Sequence, residues 1–338
     1  MTDTDPHSAV PARRYALVLK THVWDDFIKR QLERYLSAVG PNGDVFVCID
    51  QTNGAVPSID HDRVLRFTNA DLVGLGLANR AERGSLIWWN TDYPHYLFFQ
   101  AFPNYDYYAF CEYDTVINRA CDDLMDDIAT AGADFVALPT RTPKMEWMWT
   151  RYHLGTYDFE DLTGSLNCIA IFSQRAMETL QRRRIEMSQH SADGHVPFWP
   201  LNEVFLATEV KRAGLRAASL DQFGDASGFE WYPPYVEDDL DAYRHLTFLH
   251  PVLDKPRYMA SLLKFSPLLS FFSGRGRLGL ALRRFPEFKG EVPNAFIRRA
   301  ITRSRERYQG MALRIMLALR PSSAGSNVRG IGPGRGSR

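Results

Sequence analysis

Short apolar runs that each end in polar residues constrain this chain more than any other feature of it. YALVLKTH (15–22), DVFVCID (44–50), RVLRFT (63–68) and YDYYAFCEYD (105–114) have strand length and are rich in aromatic and β-branched residues. Helical patterns separate them. WDDFIKRQLERYLSAVG sets Trp24, Phe27, Ile28, Leu32, Tyr35 and Leu36 at helical spacing before a glycine stop, and LIWWNTDYPHYLFFQAF reads as a second helical stretch. Helix CDDLMDDIATAG and strand DFVALP follow. Strands alternating with helices predict an α/β fold, a mostly parallel sheet flanked by helices on both faces.

In open sheets of that kind, ligands bind beyond the carboxyl ends of the strands. The run YDYYAFCEYD ends there on Glu112 and Asp114. Side chains alternate along a strand, so these carboxylates should point to one side, about 7 Å apart, and Tyr113 to the other. Two such charges beside a core are costly unless solvated, paired with basic groups or neutralised by a metal. A hard ion such as Mg2+ or Mn2+ takes oxygen ligands and commonly bridges carboxylates to a substrate's phosphates. A polar strand end leading into a turn is the plainer alternative.

The chain has 338 residues, 45% of them hydrophobic, enough for a large core. Its formal charge of zero conceals an asymmetry: residues 255–338 carry 18 Lys+Arg against 3 Asp+Glu, and the remainder 22 against 37. Two functional parts are implied. Cys48, Cys111, Cys121 and Cys168 are widely spaced without a C-x-x-C pair, which indicates reduced, buried thiols and neither a disulfide framework nor a zinc cluster. MTDTDPHSAVPARR holds no signal-peptide run, and no segment has the roughly 18 uninterrupted apolar residues of a spanning helix, so a cytoplasmic location is expected.

The segment NTDYPHYLFFQAFPNYDYYAFCEYD (90–114) resembles glycosyltransferases of the GT-A type. In these Rossmann-like enzymes a D-x-D motif at the end of a central strand holds the divalent ion bound to a nucleotide-sugar diphosphate. The similarity is to families whose motif reads Y-D-Y-Y-x-x-x-E-Y-D after an aromatic N-x-D-Y-P segment, and it covers roughly residues 14 to 254. Glu112 replaces the first Asp, which keeps the charge and lengthens the reach.

The resemblance implies a domain that moves a sugar, of the hexosyl or N-acetylhexosaminyl class, from a nucleotide-diphosphate donor, UDP-sugar favoured, to a hydroxyl of a glycan or lipid-linked acceptor. It implies Mn2+ or Mg2+ held by Glu112, Asp114 and His250. It also implies a general base at Glu203, which opens the helix NEVFLATEVKRAG. The acceptor hydroxyl must lose its proton as it attacks the anomeric carbon, and with Glu203 as base the outcome is inversion. Where the family often has Glu-Asp this chain has Glu203-Val204, leaving one carboxylate for the task. A first-turn glutamate that merely favours the helix dipole is the structural alternative.

Further residues lie where the family holds the nucleotide and sugar. Lys20, Thr21 and His22 follow the first strand, Asp50 closes the second, and Asn69 and Asp71 follow the third, with Thr21 and Asp71 the better placed. Asn90 and Asp92 interrupt an apolar stretch and need partners, and Tyr113 lies inside the motif. Gly164, in LTGSLNCIAIFS, would let the backbone approach a sugar closely, and Ser173 would cap the next helix. RTPKMEWMWTRYHLGTYDFE (141–160) offers aromatic faces to an acceptor or forms a satellite cluster. SQHSADGHVPFWP (188–200) is placed for a lid that excludes water.

Residues 255–320 read as a basic amphipathic α-helical C-terminal extension, suited either to an anionic membrane surface or to packing on the acidic part. Residues 1–13 and the Gly/Ser/Arg-rich 321–338 are expected to be disordered. No nucleic-acid module is recognisable. Two other function classes fit the layout. A sugar-nucleotidyltransferase would carry a Gly-rich, basic signature after its first strand, and KTHVWDD has none. A non-catalytic nucleotide- or glycan-binding domain could be recruited through the basic tail.

Overall fold

A computed structural model describes residues 13–80, 86–88, 90–144, 147, 156–192 and 199–304. Half of the aromatic segment 141–160, the middle of the expected lid, residues 305–338 and residues 1–12 lie outside the described residues. The chain divides into two compact units, Met1–Tyr258 and Met259–Arg338.

The first unit runs β1 (Tyr15–Thr21), α1 (Asp26–Ala38), β2 (Gly43–Asp50), β3 (Val64–Phe67), α2 (Asn69–Gly74), α3 (Tyr93–Ala101), β4 (Tyr107–Glu112), β5 (Val116–Ile117), α4 (Cys121–Thr130), β6 (Phe135–Pro139), β7 (Ser165–Ser173), α5 (Gln174–Ala192), α6 (Asn202–Arg212) and β8 (Ala217–Ser219). Seven of these strands form one sheet in the order β3-β2-β1-β4-β7-β6-β8. β1 pairs in parallel with β2 and β4, β2 with β3, and β6 with β8. β7 runs antiparallel to both β4 and β6. The sheet is thus mostly parallel, with one reversed strand inside it.

Period-two alternation divides the core. Tyr15, Leu17 and Leu19 of β1 face a layer with Phe27, Ile28, Leu32 and Tyr35 of α1 and Leu124, Met125 and Ile128 of α4. Ala16 and Val18 face the opposite layer, with Tyr93, Tyr96 and Phe98 of α3, Met177 and Leu180 of α5, and Val204 and Phe205 of α6. Helices therefore cover both faces, as near-continuous apolar strands require. Asp25 starts α1 by accepting hydrogen bonds from the amides of Phe27 and Ile28, both at 3.1 Å. Ser173 does the same for α5, accepting from the Ala176 amide at 3.3 Å.

The stretch 86–102 is not one helix. A 3-10 turn at Leu86–Trp88 precedes α3, which starts only at Tyr93. Proline cannot donate the amide an interior position needs, so Pro94 confines itself to the first turn of a new helix. The strand at 105–114 is also shorter than its apolar run. It stops at Glu112, where the Thr115 amide bonds back to the Glu112 carbonyl at 3.1 Å and closes a turn over Tyr113 and Asp114.

After the main sheet come β9 (Gly228–Phe229), β10 (Tyr235–Val236), β11 (Phe248–His250) and β12 (Val252–Leu253). β11 lies between β5, to which it is antiparallel, and β9. Helix α7 (Lys255–Phe265) spans the division between units, and α8 (Arg277–Arg284) follows in the second. That unit leaves Leu269, Phe272, Leu280, Ile297 and Ile301 exposed among its arginines. Among the described residues no helix is long and apolar enough to cross a membrane.

Candidate active site at the carboxyl edge of the sheet

Strand register assembles the site. The parallel β1–β4 pairing sets Lys20 opposite Glu112, and their charged atoms lie 3.8 Å apart. The antiparallel β4–β7 pairing ends with Cys111 opposite Ile169, so the next step along it puts Cys168 beside Glu112. β11 supplies His250 from its end, because Leu249 pairs with Val116 just beyond the Glu112 turn. The turn itself is pinned. Thr115 Oγ1 donates to the Glu112 carbonyl at 2.8 Å, the buried Tyr35 hydroxyl donates to the Thr115 carbonyl at 2.9 Å, and the Val252 amide donates to the Asp114 carbonyl at 2.7 Å.

The donor atoms of Glu112, Cys168 and His250 all lie within 4.8 Å of one another. His250 Nδ1 sits 2.7 Å from the Glu230 carbonyl. A carbonyl only accepts, so Nδ1 carries a proton, which leaves Nε2 as the nitrogen turned toward the carboxylates, the orientation typical of a metal-ligating imidazole. Nε2 faces Asp114 Oδ1 at 3.7 Å, too far for a hydrogen bond. Burial pushes the Asp114 carboxyl up to about 6, with the Glu112 charge adding to the rise and His250 opposing it. Burial also pushes the Cys168 thiol well above its ordinary range, and the nearby charges of Glu112, Asp114 and Glu203 add to that.

Two buried polar atoms here have no hydrogen-bond partner, the acceptor Asp114 Oδ1 and the donor Lys20 Nζ. An unmade buried bond costs about 1–3 kcal/mol, more for a charged group. An acceptor near His250 and a donor near Glu112, neither with a hydrogen bond, suit a cation that arrives together with its anion. The residues present therefore fit a divalent ion and the diphosphate it would carry.

The other expected site residues divide into those near this edge and those engaged elsewhere. Glu203 lies in the first turn of α6, within electrostatic reach of Cys168. Thr21 Oγ1 donates to the Val23 carbonyl at 2.7 Å and shapes the turn after β1. The His22 ring meets Tyr113 edge-on at 5.8 Å, and Tyr113 in turn meets Phe27 at 6.4 Å. Gly164 has a packing reason: a Cβ there would stand 2.4 Å from the Trp147 ring.

Asp71, Asn90 and Asp92 are not brought to the cluster. Asp71 closes a capping box on α2, accepting from the Thr68 amide at 2.7 Å and the Thr68 hydroxyl at 2.8 Å. Asp50 accepts from the Thr52 amide at 2.8 Å. Asn90 is buried, donates to the Leu86 carbonyl at 3.1 Å and accepts from the Trp199 indole at 2.6 Å. Asp92 is fully buried against Arg184 at 2.8 Å and accepts from the Tyr96 hydroxyl at 3.1 Å.

Two residues that the sequence did not single out matter here. Cys168 looks from the sequence like one more apolar strand position, and only the antiparallel register reveals its neighbour. Arg184 reads as a solvated member of the QRRR run yet is buried, its guanidinium 3.8 Å from the Phe205 ring centre.

Fold and edge define a class, a three-layer α/β protein whose mostly parallel sheet carries an acidic, imidazole-bearing cluster at its carboxyl edge. No protein-family model matches the sequence, and no curated protein matches it. Among solved structures the chain is similar to mouse xyloside xylosyltransferase 1, at 11% identity over 70% of this chain and 97% of that one, with a TM-score of 0.39. It is similar to the galactosyltransferase LgtC in complex with donor and acceptor sugar analogues, at 8% identity over 70% of this chain and 86% of that one, TM-score 0.40. A glycosyltransferase involved in glycosylation of the major capsid of PBCV-1 matches at 8% identity over 70% and 92%, TM-score 0.34.

Proposed function

We propose that the chain is a metal-assisted glycosyltransferase, taking a sugar from a nucleotide-diphosphate donor, UDP-sugar first among candidates, to a hydroxyl of a glycan or lipid-linked acceptor. The carrying observation is the open donor and acceptor pair, Lys20 Nζ and Asp114 Oδ1, beside Glu112 and His250 at the strand edge. Glu112, Asp114 and His250 would hold the divalent ion, Mn2+ or Mg2+ by the resemblance, and Lys20 would hold diphosphate oxygens. When bound, the ion neutralises charge developing on the leaving diphosphate. Glu203 takes the acceptor proton, a step worth typically 10²- to 10⁴-fold, and the anomeric centre inverts. His22 and Tyr113 offer ring faces and edges to the nucleotide.

The second unit supports a membrane-proximal acceptor. Exposed Leu269, Phe272 and Leu280 stand among Arg275, Arg277, Arg283 and Arg284, the combination that binds anionic bilayer surfaces. In this reading the protein works in the cytoplasm, peripheral on the inner face of the membrane.

Hydrolysis of UDP- and GDP-sugars with and without Mn2+ tests the proposal. At least one donor should be cleaved, and Glu112→Ala and Lys20→Met should abolish cleavage while leaving circular dichroism unchanged. Cleavage of none, or full activity in Glu112→Ala, refutes it.

A further inference from the structure

The tightest set of potential metal ligands among the described residues is Glu112, Cys168 and His250, and it includes a thiol. Carboxylate, imidazole and thiol together form a donor set unlike the all-oxygen shell preferred by Mg2+. The geometry points to Cys168 as a direct ligand of the ion, making this a three-ligand site selective for a borderline ion of the Zn2+ or Co2+ kind, with the remaining position open. The inference rests on the metal site of the proposed function but not on what that site acts upon.

Three features carry it. First, the distances fit. Three atoms each 4.8 Å from the others would lie about 2.8 Å from the point between them, against bonds of about 2.0–2.3 Å, so closing the shell takes movements of about 0.5–0.8 Å. Second, the Glu230 carbonyl fixes the Nδ1 side of His250 and so turns Nε2 toward the cluster, and the side chain is 7% exposed. Third, Cys168 follows Glu112 across the β4–β7 register, so its place is set by the sheet and not by a loop. Three protein ligands plus one open position is also the pattern of catalytic zinc sites. On binding, the thiol gives its proton to solvent as the sulfur–metal bond forms, so no oxidant or reductant is needed.

Cobalt reads this out directly. Titrating the purified full chain with Co2+ should produce a sulfur-to-cobalt charge-transfer absorption in the near ultraviolet. Cys168→Ser should abolish that absorption and weaken Co2+ and Zn2+ binding by at least about tenfold, while changing Mg2+ binding by less than about twofold. A wild-type adduct without the absorption overturns the inference and needs no variant to do so. So does an absorption that survives in Cys168→Ser. A chain that shows the absorption but cleaves no nucleotide-sugar keeps the ligand set and loses the transferase reading. Cleavage without the absorption does the reverse.

Discussion

Replacing Asp92 by Asn should destabilise the protein by about 3–5 kcal/mol, although Asn keeps the shape and one acceptor. Asp92 and Arg184 are both fully buried and paired by two hydrogen bonds, at 2.8 and 3.2 Å. At an effective dielectric of about 20, unit charges 4 Å apart attract by about 4 kcal/mol, and the variant forfeits that while leaving the guanidinium charged and buried. The Phe205 ring 3.8 Å from the guanidinium carbon is in place with either residue and so offsets none of the difference. Against a total of about 5–15 kcal/mol for a natural domain, the loss is large. Urea unfolding followed by tryptophan fluorescence measures it. The diagnostic comparison is the cycle of Asp92→Leu, Arg184→Met and their double variant. Each single replacement of one partner strands a charge, whereas the double strands none, so the double should cost several kcal/mol less than the sum. Additive costs, or a loss under 1 kcal/mol in Asp92→Asn, would refute the argument. Arg184 also donates to the Pro200 carbonyl at 2.9 Å, just ahead of α6, so the pair holds the start of the helix that carries Glu203.

Other outcomes follow from the same coordinates. His95 is fully buried, stacked 3.8 Å from Phe110 with neither ring nitrogen bonded, and burial, followed by the Lys20 charge, holds its pKa well below the ordinary value near 6.5. The unfolded chain therefore gains a proton that the folded one refuses, so this group leaves stability intact above pH 6.5 and erodes it as pH falls below. Between pH 7.5 and 5.5 the wild type should lose about 1.4 kcal/mol more than His95→Phe, measured by denaturant titration; equal losses would contradict this. Gly164→Ala should cost about 1–3 kcal/mol by driving a methyl into the Trp147 ring, visible as a lower melting temperature, and an unchanged one would rule out the close packing. Co-sedimentation with vesicles should capture the full chain when they contain phosphatidylserine, fall at high salt, and fall again in Leu269→Ser, Phe272→Ser. Capture unaffected by lipid charge would remove the membrane from the reading.

Local signals in the sequence were read correctly because their causes are local. β1 and β2 are continuous apolar runs, α1 carries its own Asp25 cap and 3.6-residue stripe, and Ser173 bonds to the helix it starts. The carboxylates at the end of β4 were legible for the same reason. What failed to show depends on pairing between distant segments. The alternation that should have put Glu112 and Asp114 side by side stops at a turn, since Thr115 and Tyr35 bend the chain there. Asp92 and Asn90 look like polar intrusions awaiting a sugar, but their partners, Arg184 and Trp199, lie far along the chain. Cys168 stayed hidden because nothing near it in sequence says that β7 runs backwards.

That reversal has an evolutionary consequence. In a wholly parallel sheet each strand reaches the ligand edge with its last residues, so changes there also alter the turn into the following helix. β7 reaches that edge with its first residues, and its last ones, at Ser173, bond Asp134 at the far side. The segment leading into β7 can therefore change length and chemistry without disturbing α5. A library confined to residues 158–161 would vary that edge while leaving the carboxylates on β4 untouched.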